Sequence, residues 1–255
     1  MSVLGAIILG LVEGFTEFLP ISSTGHMILM SDILNLPNTD FLKSFEIAIQ
    51  LGAILAIVVM YASRLLGNIQ LYKRLFIAFL PTAIIGFLLY DYIKTYLFNP
   101  ITVSGALIFG GVFLIFLDGR IKNQKEHERN FEEMSYKDAL IIGLSQTLAM
   151  VPGVSRAAAT ITGGIFRGMT KKRAMEFSFL LAVPTMLAAT GYDLLKTSNG
   201  YSTYEVGLLG IGSIVSFISA WVAVKLFVGV IDKHGMAFFG YYRIIMGVVY
   251  LLYFQ

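Results

Sequence analysis

The chain has 255 residues, of which 56% are hydrophobic and only 14% are charged, and its formal net charge is +3. Soluble globular domains carry about 25% charged residues, so these charges are too few to coat a soluble surface of this size. The composition therefore excludes a soluble protein and predicts a single membrane domain over residues 1–255. The absence of Cys excludes disulfides and thiolate metal sites. The first residues lack a basic stretch and a small-residue cleavage site, so we expect no removable signal peptide.

Long apolar blocks recur along the whole chain, and a membrane-spanning helix needs roughly 17–25 such residues. Six blocks fit this requirement, at about 45–62, 75–90, 101–117, 175–192, 206–224 and 237–254. Two further blocks, 1–30 and 138–167, are broken near their middles by Pro, Gly and polar residues. Interrupted backbone is tolerated at membrane depth only where protein or a watery cavity covers it. The pattern predicts an all-α integral membrane protein with six transmembrane helices plus two re-entrant helical hairpins.

The basic residues predict the orientation, because Lys and Arg concentrate in cytoplasmic loops. They mark the segments 63–74, 118–137 and 171–173 as cytoplasmic, whereas the loops near 91–100 and 193–205 hold one Lys each. The sides of the membrane alternate without conflict if both broken blocks are re-entrant. We expect the 118–137 segment to be a solvated cytoplasmic loop that faces anionic lipid.

The predicted topology is also an internal repeat. Repeat 1 covers about 1–117 and repeat 2 about 138–255, and each consists of a broken hairpin followed by three spans. The halves enter the membrane from opposite sides, so the repeat is inverted. Sequence echoes agree, with Gly10–Glu13 matching Gly143–Gln146 and Pro20–Ser23 matching Pro152–Ser155. Inverted repeats with paired broken helices place a ligand site where the two breaks meet.

The first broken block contains two carboxylates and no nearby cation, since no Lys or Arg precedes Lys43. Glu13 and Glu17 are four residues apart and share one face of a helix. Two carboxylates there can hold a hard divalent cation, or one can act as a base. His26, a few residues later, can transfer a proton near neutral pH.

The second broken block supplies the missing positive charge. Arg156 is the only basic residue between Lys137 and Arg167. Together with Glu13 and Glu17 it would cost on the order of 7–10 kcal/mol if unpaired within the membrane. Its planar guanidinium suits phosphate oxygens. Acids, an arginine, hydroxyls and a histidine predict metal-assisted phosphoryl chemistry on a substrate with a lipid tail.

Structural interpretations compete with each of these functional ones. The Glu pair can be a structural ion pair or a proton relay, and a buried histidine is often simply hydrogen-bonded in the core. Hydroxyls in membrane helices commonly bond to carbonyls of the preceding turn. Glu46, Gln50 and Glu176 lie near span ends, where solvated or capping roles compete with a place in the site.

At these residues the chain resembles the bacitracin-resistance family of undecaprenyl-diphosphatases over essentially its full length. Its first signature is similar to the run Glu13-Gly-x-x-Glu17-Phe-Leu-Pro-x-Ser-Ser-Thr-Gly-His26, and its second to Pro152-Gly-x-Ser155-Arg156-x-x-x-Thr160. A softer third motif resembles Phe45-Glu46-x-x-Ile-Gln50-Leu-Gly. The family usually has Ser after the Arg, where this chain has Ala157, to which we assign no role.

The resemblance implies removal of the terminal phosphate of undecaprenyl diphosphate at the periplasmic face of the bacterial inner membrane. This reaction recycles the lipid carrier of cell-wall peptidoglycan synthesis and confers bacitracin resistance. The resemblance also implies a divalent metal, Mg²⁺ or Ca²⁺, at Glu13 and Glu17. The implied catalytic residues are Glu17, Ser23 as nucleophile or phosphate ligand, His26 as its proton partner, and Arg156. The implied substrate-binding residues are Ser22, Thr24, Gln50, Ser155 and Thr160.

Two rival classes share parts of this pattern. A transporter has the same repeat architecture and would flip the lipid monophosphate without hydrolysis. A phosphatase of the phosphatidic-acid type needs a catalytic His shortly after its Ser-Arg pair, and the next His here is His234, which excludes it. The expected partners are a polyprenyl diphosphate and membrane lipids, with no nucleic acid. The sequence leaves the oligomeric state open, a homo-oligomer included.

Overall fold

A computed structural model describes residues 1–121, 131, 134–196 and 200–254. Regular secondary structure in these ranges is helical. The elements are α1 (Val3–Thr16), α2 (Ser23–Ile33), α3 (Asp40–Ala48), α4 (Gln50–Met60), α5 (Ala62–Leu65), α6 (Ile69–Tyr92), a π-helical turn (Ile93–Leu97), α7 (Pro100–Ile121), α8 (Tyr136–Thr147), a 3₁₀ turn (Leu148–Met150), α9 (Arg156–Phe166), α10 (Lys171–Lys196), α11 (Thr203–His234) and α12 (Ala237–Tyr253). The predicted all-α class is confirmed.

Five helical segments within the described residues are long and apolar enough to cross a membrane: Asp40–Met60, Ile69–Tyr92, Pro100–Arg120, Lys171–Lys196 and Thr203–Leu226. They correspond to five of the six predicted spans. The sixth, α12, is an apolar helix of 17 residues, at the lower limit for crossing a bilayer. Large apolar side chains such as Leu88, Phe109 and Ile214 are exposed on α6, α7 and α11, as a lipid-facing surface requires.

The predicted span ends differ from the observed ones mainly where polar residues continue a helix. The span predicted to begin at residue 75 begins at Ile69, because the Asn68 side chain accepts a hydrogen bond from the Leu71 N–H and caps the helix. Arg74 therefore lies in α6 rather than in a loop, and its Nε donates to the Met134 carbonyl at 2.7 Å. Most of the predicted 118–137 loop, including its basic residues at 122, 125 and 129, lies outside the described residues.

In the two helical hairpins, equivalent helices begin 133 residues apart. The hairpin helices α1 and α8 begin at Val3 and Tyr136, and α2 and α9 begin at Ser23 and Arg156. The equivalent helices α2 and α9 both contain 11 residues. One predicted echo is out of register: the structural partner of Ser155 is Ser22 rather than Ser23, because these two serines cap the equivalent helices. Ser23 is instead the counterpart of Arg156.

The repeats interlock through their hairpins, because α1 packs against α11 and α8 packs against α6. Glycines make both approaches close. A Cβ atom on Gly10 would lie 2.7 Å from the Gly212 carbonyl oxygen, and one on Gly143 would lie 2.2 Å from that of Ala78. Each hairpin is thus held by a helix of the other repeat, which brings the two breaks together in the interior.

Candidate active site

The second helix of each hairpin begins after a serine that has an unusual backbone conformation. Ser22 has φ +73° and Ser155 has φ +77°, a region that residues other than glycine rarely adopt. Each side chain also reaches the other break. Ser22 Oγ accepts a hydrogen bond from the Gly153 N–H at 3.2 Å, and Ser155 Oγ donates to the Leu19 carbonyl at 3.4 Å. The expected meeting of the two breaks is therefore present in the structure.

The charged groups of the two breaks meet in a buried ion pair. Arg156 Nη2 lies 2.7 Å from Glu17 Oε1, and the two side chains are 9% and 3% exposed. The Ser23 hydroxyl donates a hydrogen bond to the other carboxylate oxygen, Glu17 Oε2. Removing one partner of such a buried pair costs about 3–5 kcal/mol, since it leaves an uncompensated charge. Glu17 thus connects a hydroxyl from one break to a guanidinium from the other.

Arg156 is held in place from behind by α10. Its Nη1 donates to the Ser178 carbonyl oxygen at 2.7 Å and to Ser178 Oγ at 3.1 Å. The Thr160 hydroxyl lies 2.7 Å from Ser178 Oγ, so Thr160 supports the arginine indirectly. The guanidinium also lies 5.8 Å from the centre of the Phe18 ring, within range of a cation–π contact. Sequence reasoning missed Ser178, because a lone serine in an apolar span usually bonds to its own helix.

Glu13 lies one helical turn before Glu17 and is fully buried. Neither of its carboxylate oxygens has a hydrogen-bond partner among the described residues. It lies close enough to Glu17 and Arg156 to interact with both charges. A buried carboxylate without partners is costly, and hard cations such as Mg²⁺ and Ca²⁺ prefer oxygen ligands. No group of three or more His, Asp or Glu suited to a metal occurs in the described part of the chain, so a cation would need substrate oxygens as well.

His26 is occupied on both sides of its ring. Its Nδ1 lies 2.7 Å from the Ser22 carbonyl oxygen, and because a carbonyl only accepts, Nδ1 carries the hydrogen. Its Nε2 lies 2.9 Å from the Tyr242 hydroxyl, which donates to it, and the two rings stack. In this arrangement the Ser23 hydroxyl bonds to Glu17 rather than to His26, and the role of His26 as its proton partner stays a prediction. Tyr242 was missed because it lies on α12, far away in sequence.

Arg243 on α12 joins the two breaks through their backbone. Its guanidinium donates to the carbonyls of Pro20 at 3.2 Å, Val154 at 3.0 Å, Gly153 at 2.7 Å and Ala106 at 3.2 Å, and the residue is fully buried. Sequence reasoning missed it, although a signal exists: it is the only Lys or Arg between residues 237 and 254. A lone arginine in the middle of an apolar helix needs partners for the same reason as Arg156 does.

Two neighbouring cavities adjoin these residues. The first, which we call the catalytic cavity, has a volume of about 160 Å³ and is lined by Glu17, Ser22, Ser23, Ser155 and Arg156 among others. The second, the apolar chamber, has a volume of about 410 Å³ and includes Phe79, Phe87, Tyr90 and Tyr192. Seven residues line both cavities and form what we call the neck: Thr24, Gln50, Thr82, Phe98, Met150, Thr185 and Ala189. The predicted binding residues Thr24 and Gln50 therefore lie between the charged site and the chamber.

The sequence of this chain matches a known protein family. The family described as bacitracin resistance protein BacA matches residues 6–249. The chain belongs to this family. It is 49% identical to an undecaprenyl-diphosphatase of Wolinella succinogenes over 253 residues. This alignment covers 99% of this chain and 98% of the relative. It is 48% identical over 252 residues to an undecaprenyl-diphosphatase of Bdellovibrio bacteriovorus, an alignment that covers 99% of this chain and 96% of the relative. It is 49% identical over 250 residues to one of Aquifex aeolicus, with 98% of this chain and 97% of the relative covered.

Membership of the BacA family confirms the resemblance that the two break motifs indicated. The match covers both repeats, and so it includes the Glu17 side and the Arg156 side of the site.

Proposed function

We propose that this protein is a membrane phosphatase that hydrolyses undecaprenyl diphosphate to undecaprenyl phosphate and inorganic phosphate. The observation that carries the proposal is the contact of Ser23, Glu17 and Arg156 beside a cavity that shares lining residues with an apolar chamber. The charged end fits a diphosphate and the chamber fits the start of an isoprenoid tail. The names of the relatives support the same substrate. The reaction would recycle the lipid carrier of peptidoglycan synthesis and so confer bacitracin resistance.

The arrangement supports attack by the Ser23 hydroxyl on the terminal phosphorus. Glu17 accepts the hydroxyl hydrogen in the hydrogen bond already present, so it is placed to take the proton as the Ser23 Oγ–P bond forms and the bridging P–O bond to the lipid phosphate breaks. Arg156 carries the positive charge that opposes the charge of the transferred phosphoryl group. Water then cleaves the phosphoserine ester and releases inorganic phosphate, with the proton returning to Ser23.

A divalent cation, Mg²⁺ or Ca²⁺, fits the unpartnered carboxylate of Glu13 together with oxygens of the substrate and water. When bound, it would offset part of the negative charge on the diphosphate. Both oxygens of Glu17 already have partners in Arg156 and Ser23, so Glu13 is the stronger candidate ligand. Glu13→Gln should weaken retention of the cation, measured by equilibrium dialysis with Mg²⁺ or Ca²⁺, whereas Glu46→Gln on α3 should not. Equal cation retention by wild type and Glu13→Gln would remove Glu13 from the metal site.

For the topology we propose a multi-pass inner-membrane protein with six spans, two re-entrant hairpins in inverted orientation, and a site open to the periplasm. The two broken helix pairs, whose equivalent helices begin 133 residues apart, support this topology. Because the chain contains no Cys, single cysteines can be introduced directly and labelled from either side. We expect Asn35→Cys to be labelled from the periplasm and Gly67→Cys from the cytoplasm. Labelling of both from one side would contradict the orientation.

The repeat architecture supports a second candidate function, translocation of the lipid monophosphate, because transporters use paired broken helices in this way. The two functions separate in one experiment. The protein is purified in detergent, a polyprenyl diphosphate is added with and without Mg²⁺, and released phosphate is measured. Release that Ser23→Ala abolishes supports the phosphatase. Absence of release from the purified protein, together with lipid movement in reconstituted vesicles, would favour the transporter.

A further inference from the structure

The neck contains polar side chains that take no part in the proposed attack by Ser23. Thr24, Gln50, Thr82 and Thr185 line both cavities and come from four different helices, α2, α4, α6 and α10. All four side chains are neutral hydrogen-bonding groups. Convergence of four such groups at the mouth of an apolar chamber indicates a site for a polar part of the ligand.

Gln50 and Thr24 have hydrogen-bonding capacity to offer. Gln50 is only 7% exposed, yet its side-chain amide has no hydrogen-bond partner among the described residues. The Thr24 hydroxyl likewise has none within the described ranges. Gln50 lines both cavities, so its amide can donate to a ligand that supplies an acceptor there.

The other two hydroxyls are held in position by Gln146, the counterpart of Glu13 in the second hairpin. Gln146 Nε2 donates to Thr82 Oγ1 at 2.8 Å, and its Oε1 lies 3.3 Å from Thr185 Oγ1. Gln146 is 1% exposed and lines the catalytic cavity. The bridge ties α6, α8 and α10 together and fixes both threonines at the neck.

From this arrangement we infer that the neck binds the phosphate that remains on the lipid, an inference that rests on the proposed function. A diphosphate whose terminal phosphorus lies at Ser23 and whose tail enters the chamber must place its lipid-bound phosphate between the two cavities. The terminal phosphate, with the higher charge, faces Arg156, while the Gln50 amide and the Thr24 hydroxyl are neutral donors that suit the lipid-bound phosphate with its single charge. The same donors stabilise the charge that develops on the leaving lipid phosphate when the bridging bond breaks.

The inference predicts that the two products bind to separate sets of residues. The experiment measures the dissociation constant of a short-chain polyprenyl monophosphate and, separately, that of inorganic phosphate for the purified full-length protein in detergent. Gln50→Leu removes the amide at nearly constant volume. Because a hydrogen bond to a charged group contributes about 1.5 kcal/mol or more, the variant should bind the lipid monophosphate about tenfold more weakly. Its affinity for inorganic phosphate should stay within about twofold of wild type.

Thr190→Val is the matched control, because Thr190 lies on α10 beyond Thr185 and its hydroxyl bonds to the Ile47 carbonyl at 3.2 Å, outside both cavities. It should bind both ligands as the wild type does, whereas Thr24→Val should weaken the lipid monophosphate alone. If Gln50→Leu does not fold, Thr24→Val tests the same prediction.

The outcomes also separate this inference from the proposed hydrolysis. Wild-type affinity for the lipid monophosphate in Gln50→Leu and Thr24→Val, with normal phosphate release, would overturn the role of the neck and leave the phosphatase intact. An equal loss of affinity for both ligands would also overturn it, because it would indicate general damage to the site. Selective loss of affinity for the lipid monophosphate in the variants, together with no phosphate release by the wild-type protein, would uphold the neck and count against hydrolysis.

Discussion

Arg243 gives the most demanding test of how the two breaks are held together. Arg243→Met removes four hydrogen bonds to the backbone of Pro20, Ala106, Gly153 and Val154. Hydrogen bonds from a charged donor contribute about 1.5–3 kcal/mol each, so the four together contribute roughly 6–12 kcal/mol. Burying the cation costs several kcal/mol, which the methionine variant regains. We therefore expect a net loss of about 3 kcal/mol in the free energy of unfolding, and a loss of phosphate release through misplaced breaks.

The chain offers a matched pair of variants that disturb the same guanidinium without replacing it. A Cβ atom on Gly110 of α7 would lie 2.1 Å from Arg243 Nη2, whereas one on Gly105 of the same helix would meet nothing within 4 Å. We therefore expect Gly110→Ala to lower both the melting temperature in detergent and the rate of phosphate release. Gly105→Ala should leave both near their wild-type values. The stability and phosphate release of Arg243→Lys should lie between those of wild type and Arg243→Met, because lysine keeps the charge and loses the planar guanidinium.

The reasoning would be refuted by an Arg243→Met protein with wild-type stability and activity. A variant that keeps its stability and loses only turnover would also contradict it, because the same hydrogen bonds are expected to support both properties.

Three further predictions concern single groups of the site and of one hairpin. Glu17→Gln should reduce kcat by about 10²–10³, since it removes the proton acceptor, and should also lower the free energy of unfolding by about 3–5 kcal/mol, because it leaves the buried Arg156 without its counter-charge; near-wild-type turnover would exclude Glu17 as the base. Ser22→Ala should lower the unfolding free energy by about 1–2 kcal/mol and Ser22→Gly by only a few tenths, because glycine tolerates φ +73°; equal losses in chemical denaturation would refute the strain argument. Burial raises the pKa of Asp138, but hydrogen bonds from Ser135 and Arg167 and the charge of Arg167 outweigh it and lower the pKa below the ordinary value of 3.8. That carboxylate stabilises the fold above its ordinary pKa and loses this effect as the pH falls through the lowered value. The melting temperature of the wild type should therefore fall more steeply below about pH 4 than that of Asp138→Asn, and parallel curves would contradict this.

The arrangement of helices followed from the sequence because its signals are local. Apolar length predicted five of the spans, and the position of Pro20 and Pro152 predicted where each hairpin breaks. The predicted register of the second echo was wrong by one residue, because it aligned the two prolines. One residue separates Pro20 from its capping serine Ser22, whereas two residues separate Pro152 from Ser155. Backbone φ at Ser22 and Ser155, rather than residue identity, decides which serines are equivalent.

The site could be predicted only where a lone charge in an apolar segment marked it. Glu17 and Arg156 were expected to meet because each lacked a local partner, and the structure places them 2.7 Å apart. The same rule applied to α12 would have identified Arg243. Ser178 and Tyr242 could not have been found in this way, since neutral hydroxyls in apolar helices are common and their partners are set by tertiary packing. The proton partner of Ser23 depended on side-chain direction, which sequence spacing does not give.

The central claim is that Ser23, activated by Glu17 and faced by Arg156, takes the terminal phosphate from a lipid diphosphate. The most direct measurement is phosphate release from a polyprenyl diphosphate by purified wild-type protein and by Ser23→Ala, with Ser31→Ala on the same helix as the control. We expect release by wild type and Ser31→Ala and none above background by Ser23→Ala. Undiminished release by Ser23→Ala would contradict the account.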